Sequence, residues 1–237
     1  APALVTEKAY PEDEVVVTTA IATEGDGAAT TKLIYEKRFG ARNQVEFVVP
    51  VAANGREGGS WQGGLGDMAV AVKRALVHSH QRGSILSATA EMILPTGDSA
   101  RGLGKGYPIF EPFVTFGQIL PRDSFVQFQG GFEFPMSDKG ENEAFWRVAV
   151  GKSFAQNGGT GRTWSPMIEI LGAKELVDDE RVQWDLVPQV QVTLNTRQHI
   201  MLNVGVRLPV TDRGPRSTQV VMYLLWDWFD GGFFDGW

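Results

Sequence analysis

The sequence predicts an all-β protein, one antiparallel transmembrane β-barrel of about twelve strands with both termini periplasmic. Three observations predict it. The first is alternation. In residues 182–194, Val182, Trp184, Leu186, Pro188, Val190, Val192 and Leu194 form one set, and Gln183, Asp185, Val187, Gln189, Gln191 and Thr193 the other. After Asn195-Thr196-Arg197 the pattern restarts, with Ile200, Leu202, Val204, Val206 and Leu208 against Met201, Asn203, Gly205 and Arg207. Successive strand residues point to opposite faces, so this is a hairpin with one apolar and one polar face. The second is length. These runs exceed the five or six residues usual for soluble strands and approach the roughly 9–11 that a tilted membrane strand needs. The third is recurrence, because runs of this kind return along the whole chain.

In order, the strands are expected at Glu14–Ala22, Thr30–Phe39, Arg42–Ala53, Leu65–Val77, Ser84–Leu94, Phe110–Leu120, Phe125–Phe134, Phe145–Phe154, Thr163–Lys174, the two arms of the hairpin, and Thr218–Trp228. Ala1–Asp13 carries Pro2, Pro11 and several charges and reads as an N-terminal tail. Phe229–Trp237 reads as an aromatic C-terminal tail, leaving 14–228 as the barrel. The connections alternate. Gly40-Ala41, Ser79–Gln81, Pro121–Asp123, Gln156–Arg162 and Asn195–Arg197 are mostly tight, and those between them are longer. Long extracellular loops and short periplasmic turns give that rhythm.

Composition narrows the function classes. A net charge of −6 over 237 residues leaves no basic surface for nucleic acid. Cysteine is absent, which removes disulfides and thiolate chemistry. No run reaches the roughly 18 apolar residues of a spanning helix, which closes the helical route into a bilayer and leaves the barrel route open. The opening Ala1-Pro2-Ala3, without Met or an apolar leader, reads as an exported chain whose signal peptide is removed.

Gly64-Leu65-Gly66-Asp67, then Leu94-Pro95-Thr96-Gly97-Asp98, then Gly102-Leu103-Gly104-Lys105-Gly106 occur in this order, followed by Gly131-Phe132-Glu133-Phe134-Pro135 and an aromatic last strand. This succession resembles the outer-membrane transporters grouped under the MetA pathway of phenol degradation, over roughly residues 60–228. The resemblance implies a barrel in the outer membrane of a Gram-negative bacterium, with a transport or channel role. One departure is the stretch of nine residues after Trp228, where such barrels usually close on an aromatic residue of the last strand.

Chemistry candidates are few. The loop Pro95, Thr96, Gly97, Asp98, Gly102, Gly104, Lys105 and Gly106 is glycine-rich, but Lys105 is followed by Gly106 and a strand, not by Ser/Thr and a helix. It therefore reads as a flexible extracellular loop and not as a phosphate cradle. His78, His80 and His199 have no visible triad partners or third metal ligand. The acidic loops at Glu24/Asp26 and Asp178–Glu180 lack calcium-loop spacing. No enzyme activity, cofactor or metal is expected.

The mid-strand charges carry more. Glu46, Asp67, Lys73, Glu91, Glu111, Glu133, Arg147, Glu169, Asp185 and Arg207 fall on the polar face, seven acidic against three basic. A charge on the lipid face costs about 2–4 kcal/mol for a basic residue at the midplane, so these belong to the lumen. With Gln127, Gln129, Gln189, Gln191 and Asn203 they are the expected lining. Two readings follow. One is a channel for small polar, cationic or aromatic solutes through an acidic lumen. The other is an occluded scaffold barrel anchoring a partner, such as an electron-transfer protein, through Phe229, Phe233, Phe234 and Trp237. The expected partners are outer-membrane lipid, a small solute and a protein at the periplasmic tail.

Overall fold

The computed structural model describes residues 1–55, 59–155, 162–195, 198–211 and 216–228. Its fourteen strand segments are β1 (Glu14–Ala22), β2 (Ala28–Phe39), β3 (Asn43–Gly55), β4 (Trp61–Leu65), β5 (Ala69–Ser79), β6 (Ser84–Ile93), β7 (Ile109–Leu120), β8 (Ser124–Pro135), β9 (Glu143–Lys152), β10 (Phe154–Ala155), β11 (Thr163–Glu175), β12 (Gln183–Thr193), β13 (Ile200–Pro209) and β14 (Gln219–Asp227). Every pairing is antiparallel, and β1 pairs with β14 from Glu14↔Asp227 to Ala22↔Gln219, which closes the sheet on itself. β4 and β5 both pair with β3, and β9 and β10 both pair with β11. The segments therefore form a closed barrel of twelve strands.

The expected strand at 65–77 is interrupted at Gly66–Met68, and the one at 145–154 at Ser153. Chain reversal is mostly tight at one end, through the connections β2–β3, β5–β6 and β7–β8. Between β7 and β8, Arg122 and Asp123 both take positive φ (63° and 60°), the twist that joins two strands through a short hairpin turn. The other end carries most of the longer connections. Closure leaves no unpaired edge around the wall, the condition for a β-structure to sit in hydrocarbon.

Outward positions such as Val17, Leu33, Phe47, Val72, Val114, Ile168, Val190, Val204 and Leu224 are exposed and apolar. Trp61, Phe154 and Trp164 lie near the strand ends and are also exposed. An apolar band flanked by aromatics is what a lipid-facing barrel wall requires.

The largest departure from the sequence reading is at the N-terminus. Ala1–Asp13 is not a tail beside the barrel. Ala3, Leu4, Thr6, Lys8, Ala9, Glu12 and Asp13 are all buried, and the segment lies inside the lumen. Leu4 packs with Val16, Leu171, Val187, Val221, Tyr223 and Leu225, a small apolar core on the inner wall. Gly205 makes room for it, since a Cβ there would meet Leu4 Cδ1 and Gln189 Cβ at 2.7 Å.

Candidate functional site

The candidate site is the contact between residues 1–13 and the inner wall. β11 and β12 point Glu169 and Gln189 inward by strand alternation, and Glu169 is fully buried. Three successive amides of the segment converge on the Glu169 carboxylate. Leu4 N and Val5 N donate to Oε1 at 2.9 and 3.0 Å, and Thr6 N donates to Oε2 at 2.6 Å. Thr6 Oγ1 donates to Oε2 at 2.6 Å and Gln189 Nε2 to Oε1 at 2.5 Å. Consecutive backbone N–H groups form a concavity suited to an anion, so here the wall supplies the anion and the segment the nest. A buried carboxylate without such donors would be costly.

Further contacts hold the segment along its length. Gln127 Nε2 donates to Ala1 O at 2.8 Å, and Tyr223 OH to Pro2 O at 2.8 Å. Asn203 Nδ2 reaches Gln189 Oε1 at 2.8 Å and Pro2 O at 3.4 Å. Gln129 Oε1 accepts from Glu7 N at 3.0 Å and from Arg147 Nη1 at 3.1 Å. Ser87 Oγ donates to Ala9 O, and Glu12 N donates to Gln44 Oε1 at 2.7 Å. Ion pairs also cross the boundary: Lys73 with Glu7 and Lys8 with Glu14, each at 2.5 Å, and Asp13 with Lys37 and Arg38 at 2.7 and 3.3 Å.

The path of the segment follows from these partners. Asp13 lies where β1 begins, at the short-turn end. The chain rises to Glu169 near mid-barrel and descends again to Ala1. Asp13 is the fixed end. Its carboxylate takes Lys37 Nζ at 2.7 Å and Arg38 N at 3.0 Å, and Trp228 N donates to its carbonyl at 3.0 Å. Burial raises the Asp13 carboxyl, but the hydrogen bonds from Lys37 and the Arg38 amide outweigh it and hold the group below the ordinary 3.8. A cavity of about 910 Å³ opens below the arch, lined by Ala1, Pro2, Lys8, Tyr10 and Glu12 of the segment and by the turns around Arg122 and Gln198.

The residues singled out in the sequence thus fall into groups. Lys73, Gln127, Gln129, Arg147, Glu169, Gln189 and Asn203 all touch the segment or a side chain that does. Gln191 bonds Tyr223 OH at 2.6 Å. Asp185 is engaged near the other mouth, by Arg207 and Arg216 at 2.6 Å each. Glu46 and Glu111 are buried, and Glu91 and Glu133 are half-buried.

Asp67 corrects the lining expected for it. It stands in the break between β4 and β5, and its carboxylate accepts from Gly97 N at 2.9 Å and Lys105 N at 2.7 Å. The loop expected to be flexible is pinned by this contact. Thr96 Oγ1 adds a bond to Gly66 O at 3.0 Å and accepts from Met68 N at 2.9 Å. Asp98 caps the short 3-10 turn Ser99–Arg101, and Gly102 (φ 71°) and Gly106 (φ 80°) supply the left-handed conformations. Pro95 leads into this loop, and a Cβ at Gly104 would collide with the Asp67 carboxylate.

His78 and His80 contact each other edge to face at 5.2 Å, and His199 Nδ1 meets Asp227 Oδ1 at 2.6 Å. Among the described residues, no group of three or more His, Asp or Glu is placed to hold a metal ion. Phe229, Phe233, Phe234 and Trp237 lie outside the described residues.

Sequence reasoning missed the segment itself and its apolar seat. One signal was present, because Val187 interrupts an otherwise polar inward set.

Comparisons place this geometry among known proteins. A family model described as "Putative MetA-pathway of phenol degradation" matches residues 13–231. The NanC porin is 11% identical, with a TM-score of 0.61 over 90% of this chain and 99% of its own. The COG4313 outer membrane channel from Pseudomonas putida F1 is 10% identical, with a TM-score of 0.63 over 96% of this chain and 99% of its own. The KdgM porin, solved in complex with disordered oligogalacturonate, is 10% identical, with a TM-score of 0.58 over 91% and 99%. No curated protein sequence matches the chain. The architecture is that of outer-membrane barrels.

Proposed function

Because the chain belongs to the family described as MetA-pathway of phenol degradation, and its barrel has the fold of porins, we propose that it is an outer-membrane channel stoppered by its own residues 1–13. Solutes pass when that segment leaves the lumen. One observation carries this reading. The lumen is crossed in its short-turn half by a segment held through hydrogen bonds and tethered at Asp13, and is not occupied by side chains of the wall alone. A barrel of scaffold type closes its interior with wall side chains. A tethered filler is removable, and polar contacts to a backbone can be exchanged for water.

The solutes favoured are small and polar, since Glu91, Glu111 and Glu133 face the half of the lumen that the segment leaves clear. No catalysis is assigned.

Single-channel recording of the full chain in planar bilayers tests the reading. Brief openings are expected from the wild type and longer ones from Glu169→Gln, whose amide opposes the three converging N–H groups. A folded Glu169→Gln barrel that never opens would leave the scaffold reading in its place.

A further inference from the structure

Strand register brings together glutamates that are remote in sequence. Glu14 pairs with Glu36, and Glu36 with Glu46. Glu46 faces Ala71, which faces Glu91, which pairs with Glu111. Glu111 lies opposite Glu133 across the step between the pairs Phe110↔Phe134 and Phe113↔Gly131. Glu133 pairs with Glu143, and Glu143 with Glu175.

This is one continuous row, interrupted only at Ala71, running across nine neighbouring strand segments. It begins at the first residue of β1, at the short-turn mouth, and ends at the last residue of β11, at the opposite mouth. Like charges directly across a strand pair are destabilising. Such a row is destabilising by itself, and the Lys8 ammonium on Glu14 and the buried Lys73 beside Glu36 and Glu46 offset part of that cost.

Two further observations point to what the row receives. First, its lowest rung already holds a cation: the Lys8 ammonium sits on Glu14 Oε2 at 2.5 Å, with Glu12 at 3.7 Å and the Tyr10 ring at 5.7 Å. Second, buried polar atoms along it are unpartnered, namely Glu14 Oε1, Glu36 Oε2 and the hydroxyl of Thr89, which shares the inward face of β6 with Glu91. Meanwhile, among the described residues, no group of three or more carboxylates is placed to hold a metal ion, so the row offers successive sites for a monovalent cation and no trap for a divalent one. Conduction needs binding of that kind, favourable enough to enter and weak enough to leave.

Resting on the channel reading above, we propose that this row of glutamates is a track for small ammonium-type cations, and that Lys8 is its tethered occupant in the closed state. An incoming amine competes with Lys8 for Glu14 and so favours departure of the segment.

The test uses the full chain carrying Glu169→Gln in planar bilayers under a salt gradient, with ethylammonium chloride and potassium chloride. Cation preference is expected. Adding Glu91→Gln, Glu111→Gln and Glu133→Gln should lower the cation-to-chloride permeability ratio by roughly fivefold, the scale of a few screened unit charges. Glu143→Gln with Glu175→Gln, at the rim, gives a second variant should the first fold poorly. Openings without cation preference, or a preference the glutamine variants leave unchanged, overturn the track while the channel stands. If no form opens, the channel reading falls, and calorimetric titration of ethylammonium onto the folded barrel decides the track separately. Binding that is lost in the glutamine variants and tightened by Lys8→Gln supports it; absent binding overturns it.

Discussion

Thr6 and Glu169 stand 163 positions apart in sequence, yet the backbone amide and the hydroxyl of Thr6 both donate to one oxygen of Glu169, each at 2.6 Å. This clasp fixes the top of the arch that residues 1–13 make inside the barrel. Loosening it should free the segment without disturbing the wall.

Glu169→Gln should therefore expose Lys8, which is buried in the wild type. Hydrogen bonds to a charged group contribute about 1.5–3 kcal/mol each, and the amide substitution weakens several at once. Trypsin cleavage after Lys8 in the folded barrel should be slow for the wild type and at least tenfold faster for the variant. Equal cleavage rates would show that Glu169 does not hold the segment.

Val204 and Asn203 are neighbours on opposite faces. Val204 is exposed and apolar, whereas Asn203 is fully buried against Pro2 and Gln189. Val204→Arg should cost about 2–4 kcal/mol of folding into lipid. Asn203→Arg should instead let the barrel insert but displace the segment. Heat-modifiable migration on gels reports insertion, and trypsin cleavage reports the segment; the two variants should fail in different assays.

Asp67 ties the loop at 95–106 to the wall. Asp67→Ala removes both acceptors for Gly97 N and Lys105 N, leaving two amides to find water, a cost of about 1–3 kcal/mol where they stay buried. Cleavage at Arg101 or Lys105 in the otherwise intact barrel should accelerate, with insertion unchanged. A loop as resistant as the wild type would remove the pinning role.

Asp13 gives a pH dependence of known sign. Its carboxyl is held below 3.8 by Lys37 and Arg38 despite burial, so its contribution is present above the ordinary aspartate range and lost as pH falls through the depressed value. Asp13→Asn should differ from the wild type in segment retention at pH 5–8, and the two should converge only below pH 3.8. Convergence already at pH 6 would mean that Asp13 is not the anchor.

The wall was legible because its signal is local. Alternation in Gln183–Thr193 and Ile200–Pro209 reports which face meets lipid, and the strand at Glu14–Ala22 has the bounds read from sequence. What breaks the pattern was not legible. Gly66–Met68 interrupts a strand through a contact with residues about thirty positions later, the Asp67 bond to Gly97, and no period in the sequence encodes that. The segment was hidden for the same reason. Ala1–Asp13 carries Pro2, Pro11 and several charges, as an unstructured end would. Its burial depends on Glu169, Gln129 and Gln44, which belong to three distant strands. The glutamate row was visible only as scattered mid-strand charges, because strand pairing and not spacing makes them adjacent.

The tether at Asp13 also imposes a direction. Both ends of the arch lie toward the short-turn mouth, since Asp13 sits where β1 begins and Ala1 meets Gln127 near the start of β8. A loop whose two feet share one doorway is drawn out most directly through that doorway. Force applied from the short-turn side would extract it as a hairpin, while a push from the opposite mouth would act on its crown. If the segment is the stopper, the barrel resists the two directions of force differently.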